Sequence, residues 1–286
     1  MNFSTSQKLR IRFNQFRYRS KTSKPYLSGD AFREISDIAI ESLQDITEKI
    51  NSNLHGNIIF CKSDLLDDLI TSLGSNQLGL SLITGNSDRN FESEISKSLE
   101  CFDSLYLQNS LISDNKRVFT LPIGVENLRL GINGLPQNLR SKSNWRGRKK
   151  TLLIGPFSPN HKSRFSVLED KSTTTNFTIL RKPVSPREYS EIVNEHRFVL
   201  CPRGNGIDTH RFWETLYRGS IPIVFKDKWS ESLLFHGFPF IQVEDLSHET
   251  INNAINKFEE SNNFDSFDPL TTESLWIDYW VKLLRK

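Results

Sequence analysis

The chain has 286 residues, 36% hydrophobic and 25% charged, enough for two lobes or one large α/β unit and too apolar to be disordered throughout. Its three cysteines, Cys61, Cys101 and Cys201, are widely spaced and form neither a disulfide framework nor a zinc cluster, and no uncharged apolar run is long enough to span a bilayer. The net charge of +3 conceals an asymmetry: residues 1–29 carry seven cations and no acid, so the remainder holds 37 − 7 = 30 basic against 34 acidic residues. A mildly acidic body speaks against nucleic-acid binding. The basic N-terminus lacks the apolar stretch of a secretory signal, so a cytoplasmic protein is expected.

Residues 1–24 form a basic arm in which 8–19 partly alternate cations with apolar side chains. The arm reads as a strand or helix resting on the inner face of an anionic membrane, as a contact for an acidic acceptor, or as a solvated terminus. From about residue 57 short apolar runs alternate with amphipathic stretches. Strands are predicted at 57–61, 78–84, 104–108 and 117–121, with a helix from Ser63 through Leu73 and another over Phe91–Leu99. Residues 131–148 carry no clear period and read as a linker. Within it and just beyond, Arg140, Lys142, Arg146, Arg148, Lys149 and Lys150 form a second basic run, which either attracts an anion at a cleft mouth or is simply solvated.

The alternation then restarts. Strands are predicted at 151–155, 177–180, 198–201, 221–225 and 239–243. Helices are predicted over 161–169, from Ser185-Pro186 to about Glu195, from the Gly-rich turn to Arg218, over 247–259 and within 271–284. Such βα repetition implies parallel sheets covered by helices, hence two Rossmann-like lobes facing a cleft. The boundaries expected are 25–145 for the first lobe with its linker, 146–270 for the second, and 271–286 for a helix that packs back on both.

The chemistry concentrates in 198–224. Gly204 and Gly206 free the backbone for close approach, and Asp208 or Thr209 is placed to cap a helix whose N-terminus attracts anions. Asp208, Arg211 and Glu214 lie three apart on one helix face. Arg203 and Arg211 suit a diphosphate, and Glu214 suits ribose hydroxyls. The alternative is a surface ion pair beside an ordinary turn. Gly204-x-Gly206 does not complete a dinucleotide fingerprint, because position 209 is Thr, and there is no Walker A sequence.

Cys201-Pro-Arg-Gly-Asn-Gly-Ile-Asp-Thr-His-Arg-Phe-Trp-Glu214, followed by Gly219-Ser-Ile-Pro-Ile-Val224, resembles the nucleotide-sugar-binding segment of exostosin-like glycosyltransferases (glycosyltransferase family forty-seven and bacterial relatives). Ile83-Thr-Gly-Asn-Ser-Asp88 resembles the strand-end motif of that family's N-terminal lobe and Leu121-Pro-Ile-Gly-Val-Glu-Asn127 the segment that precedes its linker; their order, with a conformable Pro239-Phe-Ile241 strand, extends the resemblance over roughly 55–245. It implies a GT-B architecture with the donor nucleotide in the C-terminal lobe. It further implies sugar transfer from a nucleoside-diphosphate sugar, taken as a UDP-sugar, to a glycan or lipid-linked acceptor, with inversion and no metal. No cofactor is expected beyond this co-substrate. A fucosyltransferase-like enzyme using a GDP-sugar, or a catalytically silent nucleotide-sugar-binding protein, stays open. Carried over, Arg203, Gly204, Gly206, Asp208, Arg211 and Glu214 bind donor. His161, Lys162 and Arg164, with Asn160, add phosphate contacts or form a solvated helix start. Asp88 is the candidate base, its rival reading being a turn residue, and Glu126 is a weaker alternative. The chain is short for such a transferase, which implies a reduced N-terminal lobe. It also lacks the membrane anchor of animal members, so a soluble bacterial-type enzyme is expected.

Overall fold

The computed structural model describes residues 5–50, 57–74, 79–93, 95–142, 144–158, 161, 164, 177–262 and 267–285. After helix α1 (Thr5–Arg17) the βα alternation begins earlier than residue 57, with α2 (Gly29–Ile35), β1 (Ile38–Ile40) and α3 (Leu43–Lys49). These elements escape sequence inspection because each is too short to display a period. Their starts are well marked, however: the Ser28 hydroxyl accepts from the Ala31 amide and the Ser42 hydroxyl from the Asp45 amide.

The first sheet continues through β2 (Ile58–Lys62), α4 (Leu66–Leu73), β3 (Leu80–Gly85), α5 (Ser96–Cys101), β4 (Phe102–Leu107) and β5 (Val118–Thr120). All five strands pair in parallel and in sequence order. Side chains alternate between its faces. Ile59, Cys61, Leu80, Leu82, Leu105 and Leu107 meet Leu66, Leu69 and Leu73 of α4 on one face, whereas Phe60, Ile83 and Tyr106 meet Ala31 and Phe32 of α2 on the other. The helix expected over Phe91–Leu99 starts only at Ser96. Phe91 instead donates to the Asn109 carbonyl and accepts from the Leu111 amide, 3.0 and 2.8 Å, so the loop after β4 takes its backbone first.

The second sheet is built from β6 (Lys149–Ile154), β7 (Phe177–Ile179), β8 (His196–Leu200), β9 (Ile221–Phe225) and β10 (Ile241–Val243), all parallel, in the order β7-β6-β8-β9-β10. The order therefore reverses between β6 and β8. The helices of this half, in chain order, are α6 (Pro136–Leu139), α7 (Pro186–Asn194), α8 (His210–Tyr217), α9 (Lys228–Leu233), α10 (His248–Ser261) and α11 (Ile277–Leu284). The helix expected over 161–169 lies outside the described residues except for His161 and Arg164. Among the described residues the protein is thus α/β with two five-stranded parallel sheets, compatible with two Rossmann-like lobes. Among the described residues no helix is long and apolar enough to cross a membrane.

One apolar core joins the halves. It runs from Phe60 and Ile83 of the first sheet through Leu153, Val199, Phe212, Trp213 and Leu216 to Ile277, Trp280 and Leu284 of α11. Trp280 meets Phe32 edge-on at 5.7 Å, and Arg285 donates to the Ile35 carbonyl. The 140–150 basic run is not at a cleft mouth. Lys149 starts β6 and pairs with Glu195, Lys150 pairs with Glu259, and the buried Arg148 donates to the Ser220 hydroxyl and the Arg218 carbonyl. These cations sit where β6 begins. The strand's length, roughly 20 Å for six residues, separates them from the end where ligands of parallel sheets gather.

Candidate functional site

β6 and β8 end side by side at the point where the strand order reverses, the place at which open parallel sheets form a ligand crevice. β6 runs into Gly155-Pro156, with Gly155 at φ +82, where a Cβ would come within 2.4 Å of the Leu180 carbonyl oxygen. Arg211, in the first turn of α8, reaches this corner. Its Nη1 donates to the Gly155 carbonyl at 3.0 Å and to the Tyr189 hydroxyl at 2.7 Å, and Nη2 donates to the Pro156 carbonyl at 2.6 Å. The guanidinium lies over the rings of Phe157 and Tyr189, 4.7 and 4.9 Å from their centroids.

Two further arginines join it. Arg164 lies over the same Phe157 ring at 5.7 Å and donates from Nε to the Arg203 carbonyl at 3.0 Å. Burial, reinforced by the charge of Arg211, lowers its pKa to about 10. Arg203 keeps its Nε buried and, among the described residues, without a hydrogen-bond partner. Among the described residues neither Arg203 nor Arg211 has a carboxylate within ion-pairing distance. The Arg164 and Arg211 guanidiniums thus share one aromatic ring, while Arg203 joins them through its backbone carbonyl and its charge acts on the Asp227 carboxyl. His161 adjoins the cluster through its carbonyl, which accepts from the Arg164 amide at 3.0 Å; Lys162 and Asn160 lie outside the described residues.

The Gly-rich loop is pressed against the first sheet. The Gly204 amide donates to the Gly206 carbonyl at 3.2 Å, closing the loop on itself. A Cβ on Gly206 would fall 2.6 Å from Oδ1 of Asn109, just beyond β4, so here the missing side chain admits a residue from the end of the first sheet. Asn109 stands at φ 56, a conformation asparagine tolerates better than most residues. Its Oδ1 accepts from the Asp208 amide at 3.0 Å, and its Nδ2 donates to the Ser87 carbonyl. Asn90 Oδ1 accepts from the Ile207 amide, and Asp88, exposed at the rim, accepts from Asn205 Nδ2 at 3.2 Å.

Asp208 and Thr209 do not cap α8 with their side chains. Thr209 occupies the N-cap position without a side-chain cap bond, and among the described residues its buried hydroxyl has no partner. The Asp208 carboxylate turns away to accept from Trp213 Nε1 at 2.8 Å and from the Ile123 amide at 2.9 Å. Burial raises this carboxyl to about 7, against the opposing pull of its N–H donors. The three-residue spacing therefore does not place Asp208, Arg211 and Glu214 on one shared surface: Asp208 binds the segment after β5, Arg211 the end of β6, and Glu214 its own helix. Glu214 is buried and accepts from Arg218 at 3.2 Å. Arg218 and Arg211 flank the Tyr189 ring.

The segment 121–127 forms the other wall. Gly124, at φ +67 and pressed against Leu27, accepts from His210 Nδ1 at 2.8 Å. Glu126 accepts from the Asn133 amide at 2.7 Å. Burial raises the Glu126 carboxyl above the ordinary range, and the nearby charge of Glu214 raises it further while His210 opposes. Three motif segments distant in sequence, 83–88, 121–127 and 201–214, hence converge at the junction of the sheets.

Sequence reasoning misses Asn109, Asn90 and Tyr189. The asparagines follow apolar strands, a signal for left-handed or side-chain-bonded turns, but their partners are about a hundred residues away. Tyr189 carries no signal, being an ordinary position on an amphipathic helix. The three thiols are all buried, and burial pushes Cys61 and Cys201 up to about 12, which leaves them poor nucleophiles. Among the described residues no group of three or more His, Cys, Asp or Glu side chains is placed to hold a metal ion.

No family model matches the chain. Over 42 residues it is 43% identical to an exostosin-1 homolog of Caenorhabditis elegans, a stretch that makes up 15% of this chain and 11% of that protein. The similarity is short and leaves most of both chains unmatched.

Proposed function

We propose that the protein is a GT-B-type glycosyltransferase that moves a sugar from a nucleoside-diphosphate sugar, a UDP-sugar by the resemblance, to a glycan or lipid-linked acceptor. The observation that carries this reading is the pairing of Arg164 and Arg211 over Phe157 at the strand-order reversal, with the Arg203 backbone bonded to Arg164 and, among the described residues, a buried donor on Arg203 without a hydrogen-bond partner. Such a corner suits a diphosphate, and the short similarity to an exostosin homolog is in keeping with it.

In this reading the acceptor hydroxyl attacks the anomeric carbon, its proton passes to a carboxylate, and the bond to the diphosphate oxygen breaks with inversion. The arginines neutralise the departing diphosphate without a metal. Asp88 is the proposed base, on the exposed rim beside Asn205. Glu126 competes for the role, because a carboxyl raised toward neutrality transfers protons efficiently. His161 and Lys162 are assigned further phosphate contacts, and Gly204 and Gly206 the close passage of the loop.

Thermal unfolding with nucleoside diphosphates, with and without magnesium, tests the donor site. A uridine or guanosine diphosphate should raise Tm by several degrees without magnesium, and Arg203→Ala should abolish the rise. Absence of a shift with every nucleoside diphosphate would sink the reading. Tight binding without release of nucleotide from any sugar donor would leave a silent binding protein. If turnover is found, Asp88→Asn and Glu126→Gln separate the two bases: loss of the true base should lower kcat by about 100-fold or more.

A further inference from the structure

The N-terminal arm is a helix with an unusual arrangement of faces. At roughly 100° per residue, Asn14, Ile11 and Gln15 of α1 fall on one side. That side is fixed to the protein: Asn14 Nδ2 donates to the Gly131 carbonyl at 3.1 Å and Gln15 Nε2 to the Leu130 carbonyl at 3.3 Å. A Cβ on Gly131 would lie 2.9 Å from the Asn14 Cβ, so the seat is close-fitting. Leu9, Phe13 and Phe16, spaced by four and three, fall on the opposite side. They are 63%, 62% and 82% exposed.

Cations flank this apolar stripe on both sides, Arg10 and Arg17 along one border and Lys8 and Arg12 along the other. Arg19 and Lys21 follow directly. All six are exposed, and among the described residues none has a carboxylate within ion-pairing distance. A water-soluble helix anchored by its polar side would be expected to turn polar residues outward, not two phenyl rings. A surface that reads nucleic-acid phosphates would set its cations at the centre and not along the borders. The arrangement matches a helix lying in a bilayer interface, with the apolar stripe among the acyl chains and the cations at anionic headgroups. The remaining chain, with 30 basic against 34 acidic residues, is repelled by the same headgroups and so helps to fix the orientation.

We infer that α1 is a membrane-docking helix whose partner is an anionic lipid surface. Its seat, the turn at Leu128–Gly131, directly follows Glu126 and Asn127 at the lobe junction. Docking therefore holds the junction close to the lipid plane. On the transferase reading above, which this last step requires and the docking itself does not, the acceptor class selected is the lipid-linked glycan.

The test is flotation of the full chain with vesicles, without donor or acceptor. The protein should float with mixed phosphatidylcholine and phosphatidylglycerol vesicles, should not float with phosphatidylcholine alone, and should be released by added salt. Phe13→Ser with Phe16→Ser, at exposed positions and unchanged charge, should lower the bound fraction about tenfold or more while leaving Tm unchanged. Replacing Arg10, Arg12 and Arg17 by Gln should do the same through the charge. Failure to float, or flotation indifferent to the loss of both phenyl rings, overturns the inference. So does a dimer that the double Phe substitution converts to monomer, since a second copy would then cover the stripe. Nucleotide-dependent Tm shifts, measured without lipid, report on the donor site separately.

Discussion

Asp208 shows how one side chain ties two distant segments. Both of its carboxylate oxygens accept from N–H groups, one on Trp213 and one on Ile123, in a place from which water is excluded. Asp208→Asn would turn an amide NH2 toward one of these donors and leave it unpaired. The expected loss is about 2–3 kcal/mol of stability, read by urea unfolding. The residue type was legible in the sequence as a helix-start residue. Its partner, 85 positions upstream, was not, because turn chemistry is local while this hydrogen bond is set by how the two sheets meet. His236 makes a second residue-scale case. Burial lowers its pKa from 6.5 to about 4, so the folded protein holds it neutral where the unfolded chain is protonated. Its contribution to stability is complete above about pH 6.5 and is lost as the pH falls toward 4. Asp208 acts in the opposite sense over about pH 4–7. The His236 effect is therefore read as a difference: His236→Phe should lose less stability than wild type between pH 7 and pH 4 in denaturant unfolding.

At the scale of elements, the Gly-rich loop is shaped by what it touches. Gly206→Ala would set a methyl group 2.6 Å from an Asn109 oxygen that is itself hydrogen-bonded to the Asp208 amide and cannot swing aside freely. A cost of about 1–3 kcal/mol is expected, with part of it relieved in the double variant Gly206→Ala, Asn109→Ala; a double-mutant cycle measures the coupling. Most strands from β2 onward could be read from the sequence, because parallel strands buried on both faces appear as plain apolar runs. β1, with its flanking helices, was too short to stand out, and Phe91 carried a helical spacing that a bridge to Ser110 overrides. The cation corner was partly legible: Arg203, Arg211 and Arg164 were each marked, but the Tyr189 hydroxyl and the two carbonyls that orient Arg211 depend on tertiary structure.

For the whole molecule, the decisive feature is the core that passes from the first sheet into the second and returns through α11. Trp280 is fully buried between α2 and the second half of the chain, with its Nε1 donating to the Ser274 carbonyl at 2.8 Å. Trp280→Ala should cost about 3–5 kcal/mol. Because the core is shared, tryptophan fluorescence and far-UV circular dichroism should move together in one unfolding transition, in the variant as in wild type. Two separate transitions would show that the sheets are energetically independent.

That returning helix also imposes an order of events on the ribosome. Phe32, on α2, is made early, whereas the indole that covers it is made 280 − 32 = 248 residues later. At about 5–20 residues per second, the first sheet's inner helix waits on the order of 10 s or more with part of its apolar surface in water. A nascent chain paused before residue 277 would offer that surface to a chaperone, and synthesis of α11 would withdraw it.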